Sequence, residues 1–275
     1  MTEHGDAKTV LVSGASRGIG RHCALALEQA GFHVLAGVRS TGAVHALKAL
    51  SKDRMQPVQL DITSADSIAA LKAELAGRPL DGVVNNAGMA VLRPLEFLPI
   101  EELRREFDVN LFGHIAVLQA VLPGLRAAKG RVVNISSISG FIGFPFFGAY
   151  AASKFAMEGM SDALRRELRG TGVSVSVIQP GNIDTGIWED SFTKGKALED
   201  QFPEEALDVY GSRFQANGAG SYGPSRKSSP DAVAAAVVSA LTDARPKNRY
   251  LVGPDARRLA RLRRFLPDAL LDRFV

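Results

Sequence analysis

The sequence predicts an α/β protein in which one parallel sheet carries helices on both faces. Three observations lead there. Short apolar runs alternate with segments of helical period along most of the chain, the pattern of strands joined by helical crossovers. A glycine-rich turn, Gly14-Ala15-Ser16-Arg17-Gly18-Ile19-Gly20, separates the first apolar run from the first helical one. No internal repeat or linker-like stretch divides the 275 residues. One domain spanning 1–275 is therefore expected, long enough to bury a full core.

The first apolar run, Lys8 to Ser13, reads as a buried strand. Beyond the glycine turn, Arg21 to Ala30 places Cys23, Ala24, Leu27 and Ala30 on one helical face. Gly31 follows, a residue type that commonly ends helices. Strand, glycine turn and helix make a cradle for dinucleotide phosphates. Glycines let the backbone approach a pyrophosphate, and a helix N-terminus offers unpaired N–H groups and the positive end of its dipole. The glycine spacing is GxxxGxG in place of GxGxxG.

The second strand, Phe32 to Val38, ends at Arg39, and Gly37 to Ser40 contain no carboxylate to hold ribose hydroxyls. An arginine there suits the 2′-phosphate of NADP(H), with Arg17 as a second guanidinium, so NADP(H) is expected over NAD(H). Two solvated loop arginines are the plainer alternative. A third strand, Pro57 to Leu60, leads to Asp61-Ile62-Thr63-Ser64, where Thr63 or Ser64 caps a helix to about Ala76. A fourth, Asp81 to Val84, runs into Asn85-Asn86-Ala87-Gly88. The next helix, Ile100 to Leu122, carries Asn110 between Phe107, Leu111 and Ile115. Asparagine is mildly unfavourable inside a helix, so a backbone or water partner is expected for it.

The fifth strand, Arg131 to Ile135, precedes Ser137 and a helix to about Arg169 that carries Tyr150 and Lys154. Residues four apart lie on one helical face. An ammonium beside a phenol favours the phenolate, so the phenol's ordinary value of about 10 is expected to fall toward neutrality. Such a hydroxyl can give or take a proton, and the Ser137 hydroxyl can hold a substrate oxygen. Val173 to Ile178 is the sixth strand, ending at Gln179-Pro180-Gly181. From Ile183 to Ser229 there is little regular signal, as in a lid or binding loop. Pro230 and Asp231 open a further helix, and Arg249 to Val252 forms the last strand.

Composition narrows the function classes. The net charge of +4 belongs to the tail, where 256–275 hold six arginines and two aspartates, leaving 27 residues of each sign elsewhere. A pI near 9.3 therefore reflects the tail, and no nucleic-acid partner is expected. The single cysteine, Cys23, excludes an internal disulfide framework and suits a reducing compartment; at its helical position it reads as a core thiol. No metal site is expected. The first ten residues show no secretory pattern, and no apolar run approaches eighteen residues. A cytoplasmic protein is expected.

SGASRGIG at 13–20, NNAG at 85–88, Asn110, Ser137, YAASK at 150–154 and PGNIDT at 180–185 together resemble the short-chain dehydrogenase/reductase family, in order and spacing over most of the chain. The wording of the Tyr150 helix resembles the hydroxysteroid and retinol dehydrogenase branch more than the ketoacyl reductases. The resemblance implies a Rossmann-type, doubly wound sheet of about seven strands and a tetrad of Asn110, Ser137, Tyr150 and Lys154. It implies that Tyr150 is the general acid/base and that Lys154 holds the nicotinamide ribose and lowers the tyrosine pKa. Ser137 would orient the substrate oxygen, and Asn110 would support a water leading to Lys154. For the cofactor it implies contacts from Gly14, Ser16, Arg17, Gly18, Ile19, Gly20 and Arg39, and from Asp61 and Ile62 around adenine. Asn86, Ala87 and Gly88 would line the adenosine ribose side, and Pro180, Gly181, Ile183 and Thr185 would fall near the carboxamide. The motif's usual threonine is Ser13 here, which keeps the hydroxyl. A homodimer or homotetramer through the helices of Asn110 and Tyr150 is also implied.

Phe141 to Phe147 hold four of the fourteen phenylalanines. With Ile187 and Trp188 at the base of the lid, Phe141, Phe144 and Phe147 suit the wall of a pocket for an apolar ketone, aldehyde or alcohol. Core packing or a subunit surface are the alternatives. The arginine- and leucine-rich tail reads as a solvated face packed on the domain or a subunit contact. A membrane-surface helix is the less expected reading, since Pro267 interrupts it. Two functions fit: an NADP(H)-dependent oxidoreductase, or a nucleotide-sensing protein on the same fold.

Overall fold

The computed structural model describes residues 7–185, 203–218 and 227–273. Its strands are β1 (Thr9–Val12), β2 (His33–Val38), β3 (Met55–Gln59), β4 (Gly82–Asn85), β5 (Arg131–Ile135), β6 (Ser174–Pro180) and β7 (Arg249–Val252). They form one parallel sheet in the order β3-β2-β1-β4-β5-β6-β7. The order reverses between β1 and β4, the switch point of a doubly wound sheet, where a crevice opens beyond the strand C-termini. The expected fold class is therefore present.

Alternation along the strands divides the core into two layers. Val10 and Val12 of β1 pack with Cys23, Ala24 and Leu27 of α1 (Gly18–Gln29), while Leu11 between them faces the other side. Burial alone pushes the Cys23 thiol up to about 12, as expected of a packed core residue. The second face is covered by α3 (Ala65–Leu75), α5 (Gly113–Ala128) and α6 (Gly148–Glu167). Ser64 caps α3 by accepting from Ser67 N at 3.3 Å, as expected. Strand ends lie within two residues of their predicted positions.

Some elements depart from expectation. Helix α2 (Thr41–Lys48) buries only Leu47, too narrow an apolar stripe to show as a period. The predicted Ile100–Leu122 helix is α4 (Ile100–Phe107), a π-helical turn at Asp108–Phe112 and α5. This continuous Ile100–Ala128 helix is long and apolar enough by length and composition to cross a membrane, which a search for unbroken apolar runs does not detect; 44% of its most apolar window is buried within the fold, and it covers the sheet as a core helix. The irregular stretch contains a helix, α7 (Glu204–Gly218). Its base is fixed, because Ile183 pairs with Ser228 and Ser228 N donates to Asn182 O at 2.9 Å.

After α8 (Pro230–Thr242) and β7, the tail forms α9 (Pro254–Phe265) and α10 (Asp268–Leu271), broken at Pro267 as predicted. Ala256 and Leu271 are buried while the six tail arginines are exposed. The tail thus packs on the domain through Ala256 and Leu271 and turns its arginines outward.

Candidate active site

The glycine turn is shaped by its neighbours. Ser13 Oγ accepts from Asn86 N at 3.0 Å and Ala87 N at 3.2 Å, so the hydroxyl ties β1 to the segment after β4. Asn86 Nδ2 donates to the carbonyls of Ser13 and Gly14 at 3.0 and 3.1 Å. Gly14 has φ +66°, and a Cβ there would lie 2.8 Å from Ala87 Cα. A Cβ at Gly20 would meet Gly14 O at 2.2 Å. Backbone packing, not loop flexibility, demands these glycines. Gly20→Ala is expected to cost about 1–3 kcal/mol of stability by overpacking and to weaken binding of a dinucleotide at the turn. Thermal unfolding and nucleotide fluorescence titration check both.

Arg17 is the N-cap of α1 with no side-chain cap bond, and the first turn has no acidic residue. The turn's N–H groups therefore face an anion site of positive dipole. Beyond it lies a cleft of about 240 Å³. Gly14, Ser16, Arg17, Gly18, Ile19, Gly20, Arg39, Asp61, Ile62, Asn86, Ala87, Gly88 and Thr185 line it, joined by Leu60, Thr63 and Val109, which the sequence reading omitted. Those three are each within two residues of predicted ones. The Thr63 hydroxyl and N–H hold the Asp61 carboxyl below its ordinary value, with Arg39 contributing. Both arginines expected to meet a 2′-phosphate border this cleft. A dinucleotide fits the cradle by its backbone approach, helix dipole and the two guanidiniums at its border. Pro180, Gly181 and Ile183 do not border the cleft; Pro180 ends β6, Gly181 N donates to Val252 O, and Ile183 packs into the core.

Asn110 joins the cleft to the helix of Tyr150 and Lys154. A Cβ on Gly88 would stand 3.5 Å from Asn110 Oδ1. Asn110 sits in the π turn, fully buried; its Oδ1 accepts from Met89 N at 2.9 Å, and its Nδ2 faces Met89 O at 2.8 Å and Ser153 Oγ at 3.0 Å. The expected backbone partner is present. On α6, Ser153 Oγ donates to Tyr150 O at 2.8 Å, and Lys154 Nζ donates to Ile135 O at 2.9 Å. Lys154 Nζ lies 5.6 Å from the Tyr150 ring centroid. Ser137 caps a 3-10 turn by accepting from Ser139 N, and its side chain hydrogen-bonds Tyr150. Thus all four expected groups meet around α6.

Their electrostatics differ from expectation in one respect. Burial pushes Tyr150 up to about 12, the Ser137 hydrogen bond working against it. The ammonium does not win over desolvation. Lys154 itself is pushed down to about 8 by burial, against the pull of Glu106 and Glu158. Two buried groups were missed from the sequence. Glu106 is fully enclosed and pushed up to about 8 by burial. His114 is fully enclosed and pushed down to about 3 by burial, with Nε2 2.7 Å from Ala87 O. Their helical positions looked like ordinary polar ones; only the fold shows that those faces are enclosed.

Beside Tyr150, Leu92, Phe147 and Ala206 are buried, with Ala90, Phe97, Phe144 and Phe146 packed against them. Tyr210 of α7 stacks edge-on against Phe97 and Phe146 at 6.1 and 6.2 Å. So Phe144 and Phe147 do adjoin Tyr150, and Phe141 lies outside that cluster. Ile187 and Trp188 lie outside the described residues. Leu92, Phe97 and Tyr210 reach the site only through the fold.

A family model described as short chain dehydrogenase matches residues 8–196. The chain is 35% identical to retinol dehydrogenase 7 of Rattus norvegicus, covering 100% of this chain and 90% of the relative. It is 34% identical to 17-beta-hydroxysteroid dehydrogenase type 6 of Homo sapiens, covering 99% and 89%, and 34% identical to the 3-amino-tetrahydro-pyrrolizinone reductase of Xenorhabdus hominickii, covering 96% and 93%. Among solved structures, a short chain dehydrogenase from Burkholderia cenocepacia in complex with NADP superimposes with a TM-score of 0.78 at 26% identity, covering 98% of each chain.

Proposed function

The chain belongs to the short-chain dehydrogenase family, in its hydroxysteroid and retinol dehydrogenase branch, and on that premise we propose that it is an NADP(H)-dependent oxidoreductase acting on an apolar ketone, aldehyde or alcohol of steroid, retinoid or lipid type. The observation that carries the reading is the Tyr150–Ser137–Lys154 cluster standing between the glycine cradle and an apolar wall. When bound, the dinucleotide supplies the hydride. Gly14 to Gly20 hold its phosphates, Arg17 and Arg39 its 2′-phosphate, and Lys154 its nicotinamide ribose.

The chain's own work is proton placement and positioning. In the reductive direction the Ser137 hydroxyl holds the substrate oxygen beside Tyr150 Oη. The Tyr150 O–H bond breaks as its proton passes to that oxygen, and Lys154 offsets the developing phenolate. Phe144, Phe146 and Phe97, with Tyr210 above them, exclude water from the apolar part of the substrate. Relatives named for retinol and 17β-hydroxysteroid support this substrate class. Loss of NADPH absorbance with a panel of ketosteroids, retinal and small ketones tests the reading. Turnover of an apolar member is expected; tight NADPH binding without turnover of any would instead leave a nucleotide sensor.

We also propose a homo-oligomer through the helices of Asn110 and Tyr150. Phe112 and Phe155, on those two helices, are 56% and 45% exposed, large apolar groups on a surface where partners commonly bind. Phe112→Asp combined with Phe155→Asp is expected to yield a monomer by light scattering, and an unchanged mass would place the interface elsewhere.

A further inference from the structure

Behind the reactive cluster lies a carboxyl that the reaction as described does not use. Glu106, on α4 one turn before Asn110, is completely enclosed. Its Oε2 accepts from Val91 N at 3.2 Å, and its Oε1 lies 3.3 Å from Asn110 Nδ2. From Asn110 the contacts continue to Ser153 Oγ and from there to Tyr150 O. Glu106 is thus the inner end of a chain of hydrogen bonds that ends on the turn of α6 carrying Tyr150 and Lys154. The same carboxyl and Asn110 also pin Met89 and Val91, which lead into the apolar wall at Leu92.

We propose that Glu106 is a positioning residue for proton transfer: its carboxyl fixes Asn110 against α6 and, once ionised, keeps Lys154 protonated. This rests on the reading of Tyr150 and Lys154 as the reactive pair. The charged groups bearing on Glu106 are Lys154, Tyr150 and Arg105; those bearing on Lys154 are Glu106, Glu158 and His114. His114, held low by burial, stays neutral through the working range. As pH rises through about 8, the proton can leave either Glu106 or Lys154. Departure from Glu106 leaves a buried opposite-charge pair, which favours the ammonium; departure from Lys154 leaves two neutral groups and no cation beside Tyr150.

The test follows the Lys154 titration in the full-length protein by NMR of 13Cε-labelled lysine, with the resonance assigned from Lys154→Met. In folded Glu106→Gln, the titration is expected to move down by about one pH unit. A superimposable curve overturns the proposal. Should the variant not fold, parent protein labelled at the glutamate carboxyl decides instead. A glutamate carboxyl whose shift also follows the Lys154 titration supports the coupling; a Lys154 titration that no glutamate carboxyl senses overturns it. Neither measurement requires turnover, so a failure of the proposed oxidoreductase activity is read separately. A purely structural role for Glu106 would lower the melting temperature and leave the Lys154 curve in place.

Discussion

Tyr150→Phe is expected to lower kcat by about 10²- to 10⁴-fold, the usual contribution of a positioned general acid, while NADPH affinity stays close to that of the parent. The substitution removes one oxygen from a residue that is 6% exposed and packed with Leu92, Phe147 and Ala206, so the ring's packing is kept. Steady-state kinetics paired with a nucleotide titration separate the two effects. Retained turnover would exclude Tyr150 as the acid. A pH dependence accompanies the assignment. With the phenol pushed up to about 12, the protonated form prevails at neutral pH, and this is the form that donates. Reduction therefore has its acid loaded across the neutral range and should weaken at alkaline pH as Lys154 loses its charge. Oxidation needs the phenolate, whose fraction rises with pH below 12, so the oxidative rate should climb through that range. A flat oxidative profile would show that proton loss from Tyr150 does not limit it.

The direction of the Tyr150 shift illustrates what a sequence can and cannot carry. Spacing placed Tyr150 and Lys154 on one face of α6, and Ser137 after β5, because helical and strand periods are local properties. The effect of Lys154 on the phenol depends on how much water both groups retain, which is set by elements distant in sequence. Burial dominates there, and it raises the phenol while lowering the ammonium. The same distinction explains Glu106. Its neighbours in sequence, Arg104, Arg105 and Asp108, are what a solvated face would show, and only the packing of α4 against α6 encloses its carboxyl.

The glycine cradle was legible because glycines record close backbone approach directly. Gly14 and Gly20 are required by Ala87 and by each other's neighbourhood, and the sequence marks that requirement as an absence of side chains. The roof over the apolar wall left no such mark. Phe97 and Tyr210 come from segments more than a hundred residues apart and meet edge to edge. Helix α7 lay hidden among glycines and serines whose composition resembles a loop. The π turn at Asp108–Phe112 was equally silent: one added residue in a helical period changes the local register without changing the apolar pattern, yet it is where Asn110 turns its amide toward Met89 and Ser153. Such turns occur frequently at functional sites.

Arg39→Asp is expected to reverse the proposed cofactor preference, with the ratio of kcat/KM for NADPH over NADH falling by about 10²-fold or more. A hydrogen bond to a charged group contributes about 1.5–3 kcal/mol, and the substituted carboxylate adds repulsion of the 2′-phosphate while offering acceptors to the ribose hydroxyls of NADH. Asp61 is the competing influence, since its charge bears on Arg39 across the cleft. If Asp61 fully occupied the guanidinium, Arg39 would serve only to hold the adenine loop, and its loss would weaken both nucleotides alike. The geometry argues against that outcome: Asp61 Oδ1 is already engaged by Thr63 N at 2.9 Å and Thr63 Oγ1 at 2.7 Å, and Arg39 is exposed at the mouth of the cleft. Arg17→Ala should then reduce NADPH affinity further in the Arg39→Asp background by less than it does in the parent, because one phosphate would be served by both cations. Equal losses in the two backgrounds would mean that the two arginines act on different parts of the nucleotide.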